Sequence, residues 1–312
     1  MASYYFPNIN IAFTPIPKTG ITTLKDYLYK LEMLAAGAMR TNSLTIENSG
    51  ANIHRNKELD KYLVDDINSI QLGRPIRILA LRNPYRRALS AWTNKFLLVP
   101  SDGYMYKLYR EEDFVPKSFN SIREINHCFE KFTQRLAQDE GFRAENTHWR
   151  PQSYFVSEAT EWDYVVETSQ LDSLGKFLTQ HLSPDLLEKA GEIPQLNDTA
   201  EQVKALLGSD LAWSQVEKGY QSDFSLMHKF NLDTMKPAVN SASENQPETL
   251  LISNIRLTAE RNLARIELKQ LEAQISKHKN KIDQIYESKT WRYTALARWL
   301  FSLFGERQKP NA

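Results

Sequence analysis

Thr14-Pro-Ile-Pro-Lys-Thr-Gly-Ile-Thr-Thr23 is the stretch on which the fold turns. The residues leading into it, Asn10-Ile-Ala-Phe-Thr14, are short, apolar and β-prone, as a central strand of a parallel sheet requires. Pro15 and Pro17 stop that strand, and Gly20 permits a turn that a β-carbon would hinder. From Thr22 the pattern becomes helical, with Leu24, Leu28, Leu31 and Leu34 at spacings of three and four. A strand, loop and helix in this order aim backbone N–H groups and the positive end of a helix dipole into the loop, which favours an anion there. Lys18 adds a full positive charge, and Thr19, Thr22 and Thr23 add hydroxyl donors. The triphosphate pattern of a glycine, four residues and Gly-Lys-Ser/Thr is not met, because the lysine precedes the glycine. The bland alternative is an ordinary strand–turn–helix corner.

Working outward, a second stretch repeats the logic about sixty residues on: Arg82-Asn-Pro-Tyr-Arg-Arg-Ala-Leu-Ser-Ala-Trp-Thr-Asn-Lys-Phe96. It follows Ile76-Arg-Ile-Leu-Ala-Leu81, another buried-strand candidate. Arg82 therefore stands at a strand's carboxyl end, where ligands of open α/β sheets bind. Pro84 suits a first helical turn, and Ser90 follows Arg82 at a distance that lets a guanidinium fork and a hydroxyl converge on one phosphate. The pair of stretches predicts two phosphate sites at parallel strand ends, as a nucleotide phosphorylated at both ends of its ribose would need. Of the flanking cations, Arg86 shares a face with Ser90, and one of Arg86, Arg87 and Lys95 is expected to reach the nucleotide while the others stay solvated.

The two stretches, in this order and spacing, resemble the sulfotransferases that use 3′-phosphoadenosine-5′-phosphosulfate (PAPS), and more closely the branch that sulfates carbohydrates. Pro17-Lys-Thr-Gly-Ile-Thr-Thr23 resembles that family's 5′-phosphosulfate loop, and Arg82 to Ser90 its 3′-phosphate motif. Asn146-Thr-His-Trp-Arg-Pro-Gln152, Trp162-Asp-Tyr-Val-Val-Glu-Thr168 and Tyr220-Gln-Ser-Asp-Phe224 are similar to three further family segments in the family's order. The resemblance covers about residues 8 to 232. It implies a three-layer, P-loop-like α/β fold around a central parallel sheet.

The resemblance also implies roles. Lys18 would stabilise charge on the leaving phosphate oxygen, Thr19, Gly20, Ile21, Thr22 and Thr23 would hold the 5′-phosphate, and Arg82 and Ser90 the 3′-phosphate. No metal is implied. Transfer to an alcohol benefits from a general base, and histidine suits that role. His54 and His148 are the candidates; His54 is preferred as base, with His148 on the substrate side or structural. Glu167 reads as structural or as an arginine's partner, and Asp223 as an interhelical contact.

A single cysteine, Cys128, allows no intramolecular disulfide, and its apolar neighbours Ile125, Phe129 and Phe132 make it a small buried hydrophobe. With no basic and apolar leader at the N-terminus, a cytoplasmic and bacterial enzyme is expected, acting on a sugar or lipid-linked glycan before export. The net charge of +1 gives no overall attraction to nucleic acid. It is unevenly spread: residues 251–312 hold 12 Lys and Arg against 6 Asp and Glu, so the tail is basic and the rest mildly acidic.

Four parts are expected: a sulfotransferase domain over 1–235, a linker over 236–250, a coiled-coil helix over 251–288 and a basic aromatic tail over 289–312. The linker follows from Lys236-Pro-Ala-Val-Asn-Ser-Ala-Ser-Glu-Asn-Gln-Pro247. Leu257, Ala264, Leu268, Leu271, Ile275, Ile282 and Ile285, with Arg261 and His278 between them, alternate steps of three and four. A homodimer through 251–288 is expected, against the alternative of one long helix packed on its own domain. The segment Thr290 to Phe304 is too short and polar to span a bilayer. Residues 289–308 suit a peripheral membrane helix at the inner face, docking to a glycan-assembly partner, or a cap on the coil. Tyr104, Tyr106 and Tyr109 fall in a stretch, Ser101 to Asn120, that either stacks on acceptor sugars or packs as a surface loop. Two other functions stay open: a kinase-like nucleotide-dependent transferase, and an inactive scaffold of the same fold joined through its coil.

Overall fold

The computed structural model describes residues 2–37, 57–70, 73–98, 108–116, 121–193, 207–237 and 248–287, with Thr294 and Trp299. The chain opens with a hairpin of β1 (Ser3–Phe6) and β2 (Ile11–Thr14), antiparallel, with Tyr4 opposite Phe13 and Phe6 opposite Ile11. Sequence reading began the sheet at residue 10 and missed β1. The hairpin turn ends at Asn10, whose φ of 51° is left-handed, a conformation asparagine tolerates better than most residues. After β2 come α1 (Ile21–Ala35), the two-residue β3 (Leu63–Val64) and β4 (Ile76–Leu81), which leads into α2 (Pro84–Trp92). Then follow α3 (Ile122–Gln138), α4 (Glu140–Glu145), β5 (Tyr164–Glu167), α5 (Asp172–Leu178), α6 (Pro184–Ala190), α7 (Asp210–Gly219), α8 (Gln221–Lys229) and the long α9 (Glu248–Glu287).

The sheet order is β3-β1-β2-β4-β5. Strands β2, β4 and β5 pair in parallel, with Phe13 opposite Ile78 and Leu81 opposite Glu167. β1 runs against β2 and β3, so the sheet is mixed rather than wholly parallel. Strand β4 separates the layers, since successive side chains point to opposite faces. Ile78 and Ala80 join Phe13, Leu24, Leu28 and Leu174 beneath α1 and α5. Leu79 and Leu81 join Ile16, Phe155 and Met227 on the other side. Helices thus cover both faces, and β2 and β4 read as apolar runs because they are buried on both.

A second core, rich in aromatic rings, joins α2, α3, α4 and α7. Phe96, Phe132, Phe142 and Trp149 pack with neighbouring ring centroids 5.2–6.0 Å apart, Phe132 meeting both Phe142 and Trp149 edge to face. The indole N–H groups of Trp92 and Trp149 donate to the carbonyls of Phe114 and Phe142, each at 2.8 Å. Tyr109 belongs to this core; Tyr104 and Tyr106 lie outside the described residues. Cys128 packs against it, half-buried.

Two compact units divide the chain, Met1–Arg256 and Leu257–Ala312. Helix α9 starts inside the segment read as linker, and its Ile252 and Ile255 are buried in the aromatic core of the first unit. The first turns of that helix are therefore part of the globular unit, not of a coil. Residues 238–247 and the tail, apart from Thr294 and Trp299, lie outside the described residues. No helix among the described residues is long and apolar enough to cross a membrane.

Because Ile255 is fully buried, Ile255→Ala is expected to lower the unfolding free energy by about 2–5 kcal/mol. Urea denaturation followed by tryptophan fluorescence measures this; a change below about 0.5 kcal/mol, the range of ordinary surface substitutions, would place α9 outside the folded unit.

Candidate active site

The two stretches singled out in the sequence emerge side by side. Strands β2 and β4 are adjacent and parallel, with Thr14 opposite Leu79, so the loops after them leave the same end of the sheet. In the first loop Lys18 has φ 72° and Gly20 φ 75°, both left-handed. Thr19 between them is buried, with its N–H (3.3 Å) and its hydroxyl (2.8 Å) both donating to the Ile16 carbonyl. Its hydroxyl proton is thereby committed to the loop, leaving only the oxygen's lone pairs. The left-handed φ favours glycine at position 20, and a β-carbon there would stand 2.8 Å from Leu171 Cδ1, the end of a side chain that would have to shift. The first intrahelical bond of α1 runs from Leu24 N–H to the Gly20 carbonyl (3.0 Å). The N–H groups of Ile21, Thr22 and Thr23 precede it, in the first turn of α1. Thr23 is buried and Thr22 half-buried.

At the second loop Asn83 caps α2, its side-chain oxygen accepting from Tyr85 N–H at 3.1 Å, and Pro84 occupies the first turn. The Arg82 guanidinium turns back across the sheet end and donates through Nη1 to the Lys18 carbonyl at 3.2 Å. Ser90 is buried on α2. After α2 the helix widens into a π turn over Thr93–Leu97, closed by Leu98 N–H on the Thr93 carbonyl at 2.8 Å. Lys95 lies in this turn, and burial holds its ammonium below the usual lysine range.

Gln152 fixes the Arg82 peptide from both sides. Its Oε1 accepts from Arg82 N–H and its Nε2 donates to the Arg82 carbonyl, each at 2.8 Å. Asp223, fully buried on α8, accepts from Ser153 N–H at 2.9 Å and from Gln152 Nε2 at 3.4 Å. It joins α8 to the short 3₁₀ helix Gln152–Phe155, the interhelical contact expected of it. Glu167 accepts from Asn83 N–H at 3.2 Å and from the N–H and hydroxyl of Ser169. Its described partners are therefore backbone and hydroxyl groups, not an arginine.

Arg87 departs most from expectation. Arg86 is exposed, whereas Arg87 is 1% exposed. Its Nε donates to the Pro17 carbonyl at 3.1 Å and its Nη2 to the Thr147 carbonyl at 3.4 Å. Burial pulls its pKa down while Tyr220 and Asp223 pull it back; burial likewise raises the Asp223 carboxyl, against the pull of Arg87 and the Gln152 and Ser153 donors. One guanidinium thus holds the residue before Lys18 and the residue before His148. His148 is half-buried, and its N–H donates to Asn146 Oδ1 at 3.0 Å. His54 lies outside the described residues. Sequence reasoning missed Arg87 and Gln152. The signal for Arg87 was the spacing of three to Ser90, which shares a helix face as well as a spacing of four does; Gln152 closed a quoted motif but received no role.

A family model described as the sulfotransferase family matches residues 3–229 of the chain. The chain belongs to that family, whose members transfer sulfuryl groups. No curated protein and no solved structure matches it significantly.

Replacing Arg87 should strand a buried carboxylate. Arg87→Ala is expected to cost roughly 3–5 kcal/mol of stability by chemical denaturation. Arg87→Lys, which keeps the charge but loses the fork that spans two carbonyls, should fall between that variant and the parent. Equal stability of Arg87→Ala and the parent would rule out the linking role.

Proposed function

We propose that the chain transfers a sulfuryl group from PAPS to a hydroxyl of a carbohydrate. The observation that carries this reading is the contact between the two loops, Arg82 Nη1 on the Lys18 carbonyl, which joins the loop that carries Lys18 to the one that carries Arg82. The residues present fit an anionic group at each loop. On one side the Lys18 ammonium and the first-turn amides of α1 would hold it; on the other the Arg82 guanidinium and the Ser90 hydroxyl would. The acceptor class is supported by the resemblance of the Lys18, Arg82 and His148 segments to the carbohydrate branch.

The donor supplies an activated sulfuryl group on a phosphate leaving group. Sulfuryl transfer resembles phosphoryl transfer in its demands: catalysis is in-line positioning plus charge stabilisation. Lys18 and the α1 amides neutralise charge at the leaving phosphate. Arg82 and Ser90 hold the second phosphate and so fix the nucleotide's direction across the sheet end. A histidine takes the proton of the acceptor hydroxyl. His54 is assigned that role and His148 the substrate side, held through Arg87 and Asn146.

Adding 3′-phosphoadenosine-5′-phosphate at a hundredfold excess over its dissociation constant should stabilise the fold by about 2.7 kcal/mol, read as a rise in melting temperature. Lys18→Ala and Arg82→Ala should abolish that rise while remaining folded. An unchanged melting temperature of the parent protein would overturn the donor assignment.

Turnover on a carbohydrate acceptor should fall by about 10²–10⁴-fold in His54→Ala, measured by transfer of labelled sulfate. Near-normal turnover in His54→Ala with loss in His148→Ala would exchange the two histidine roles.

A further inference from the structure

From Leu257 to Glu287, α9 is one unbroken helix. Along it Leu257, Leu268, Leu271, Ile275 and Ile282 are between 51% and 66% exposed. They fall at the a and d positions of a heptad in which Leu257, Ala264, Leu271 and His278 are d, and Arg261, Leu268, Ile275 and Ile282 are a. A long helix gains most of its stability by packing its apolar stripe, and this stripe has the narrow period of a coiled-coil seam. The occupant, and its direction, follow from the charges beside the seam.

In a parallel pair of copies, a faces a and each g faces the following e. Arg261 would then meet Arg261 of the second copy in one core layer. Glu267 at g would meet Glu272 at e, carboxylate against carboxylate. In an antiparallel pair, a faces d, g faces g and e faces e. With Leu268 opposite Leu271 of the second copy, the layers become Leu257 with Ile282, Ala264 with Ile275 and Leu268 with Leu271, each occurring twice by symmetry. Arg261 then lies opposite His278 instead of its own copy. Glu260 meets Lys281 of the second copy, again twice, and Glu267 meets the neutral Gln274. Slipping the pair one heptad layer either way sets Glu272 against Glu272 or Glu267 against Glu267. The basic position 265 falls opposite a glutamate in either orientation and does not discriminate. Charge therefore selects one orientation and one register.

We infer that two copies of this chain associate through residues 257–285 as an antiparallel coiled coil, with Leu268 facing Leu271 of the second copy. The residues of this surface belong to the second unit, and neither donor nor acceptor enters the assignment.

The test uses the full chain. Light scattering at tens of micromolar should give twice the 36.1 kDa chain mass, and Leu268→Glu should give the monomer with the melting of the first unit unchanged. Glu260→Lys should weaken the dimer roughly tenfold, as two attractions become two repulsions, and adding Lys281→Glu should restore it. In a Cys128→Ser background, chains with Ala264→Cys mixed with chains with Ile275→Cys should form disulfides between the two kinds of chain. A monomeric parent, disulfides joining 264 to 264, or no restoration by the double charge reversal would each overturn the inference.

Discussion

Arg87 is a fully buried cation whose donors reach two backbone carbonyls from distant parts of the chain. Taking a guanidinium out of water costs several kcal/mol unless its hydrogen bonds and a counter-charge are supplied inside. Here Pro17, Thr147 and the field of Asp223 supply them. Asp223 has the reciprocal problem, which Ser153, Gln152 and Arg87 answer. Gln152 carries the connection on to the Arg82 peptide. The Lys18 loop, the His148 segment, the Arg82 loop and α8 are therefore interdependent. Each buried charge is tolerable only while the others are in place.

That interdependence bears on chemistry. Positioning catalysis needs its groups held to a fraction of an ångström before the substrate arrives. Lys18 and His148 each follow a residue whose carbonyl is held by the same side chain. Arg82 has its backbone fixed by Gln152 and its side chain laid on the Lys18 carbonyl. All of these restraints are made by the chain's own groups.

Much of this was legible in the sequence, and the failures have physical reasons. The two strand–loop–helix corners were readable because β2 and β4 are apolar runs ended by proline or capped by asparagine. β1 was not, since Ser3-Tyr-Tyr-Phe6, as short as β2, lacks its aliphatic residues. The helical heptad was visible, but the point where α9 leaves the globular unit was not. Ile252 and Ile255 look like a continuation of the periodic pattern, and only the packing shows them in the aromatic core. Arg87 was misread because exposure is the ordinary state of an arginine. What overrides that habit is a ring of distant carbonyls and one carboxylate, which local pattern cannot reveal. The network could be assembled only after residues 17, 87, 147 and 223 were seen to meet.

The backbone at Lys18 shows the same priority given to the site over local stability. A lysine with φ 72° sits where glycine would sit more easily, at a cost on the order of 1–2 kcal/mol. Glycine at 18 would relieve the strain and remove the ammonium at the helix end. The chain keeps the lysine and restrains the turn from both sides. Thr19 ties the loop to Ile16 from within, and Arg82 ties the Lys18 carbonyl to the neighbouring strand end. A left-handed residue points its carbonyl and its amide differently from its neighbours. Lys18 in this conformation offers its carbonyl to Arg82, and Gly20 then turns the chain into α1. The strain and the loop-to-loop contact are two aspects of one arrangement: the conformation that costs energy at Lys18 presents the carbonyl that Arg82 binds.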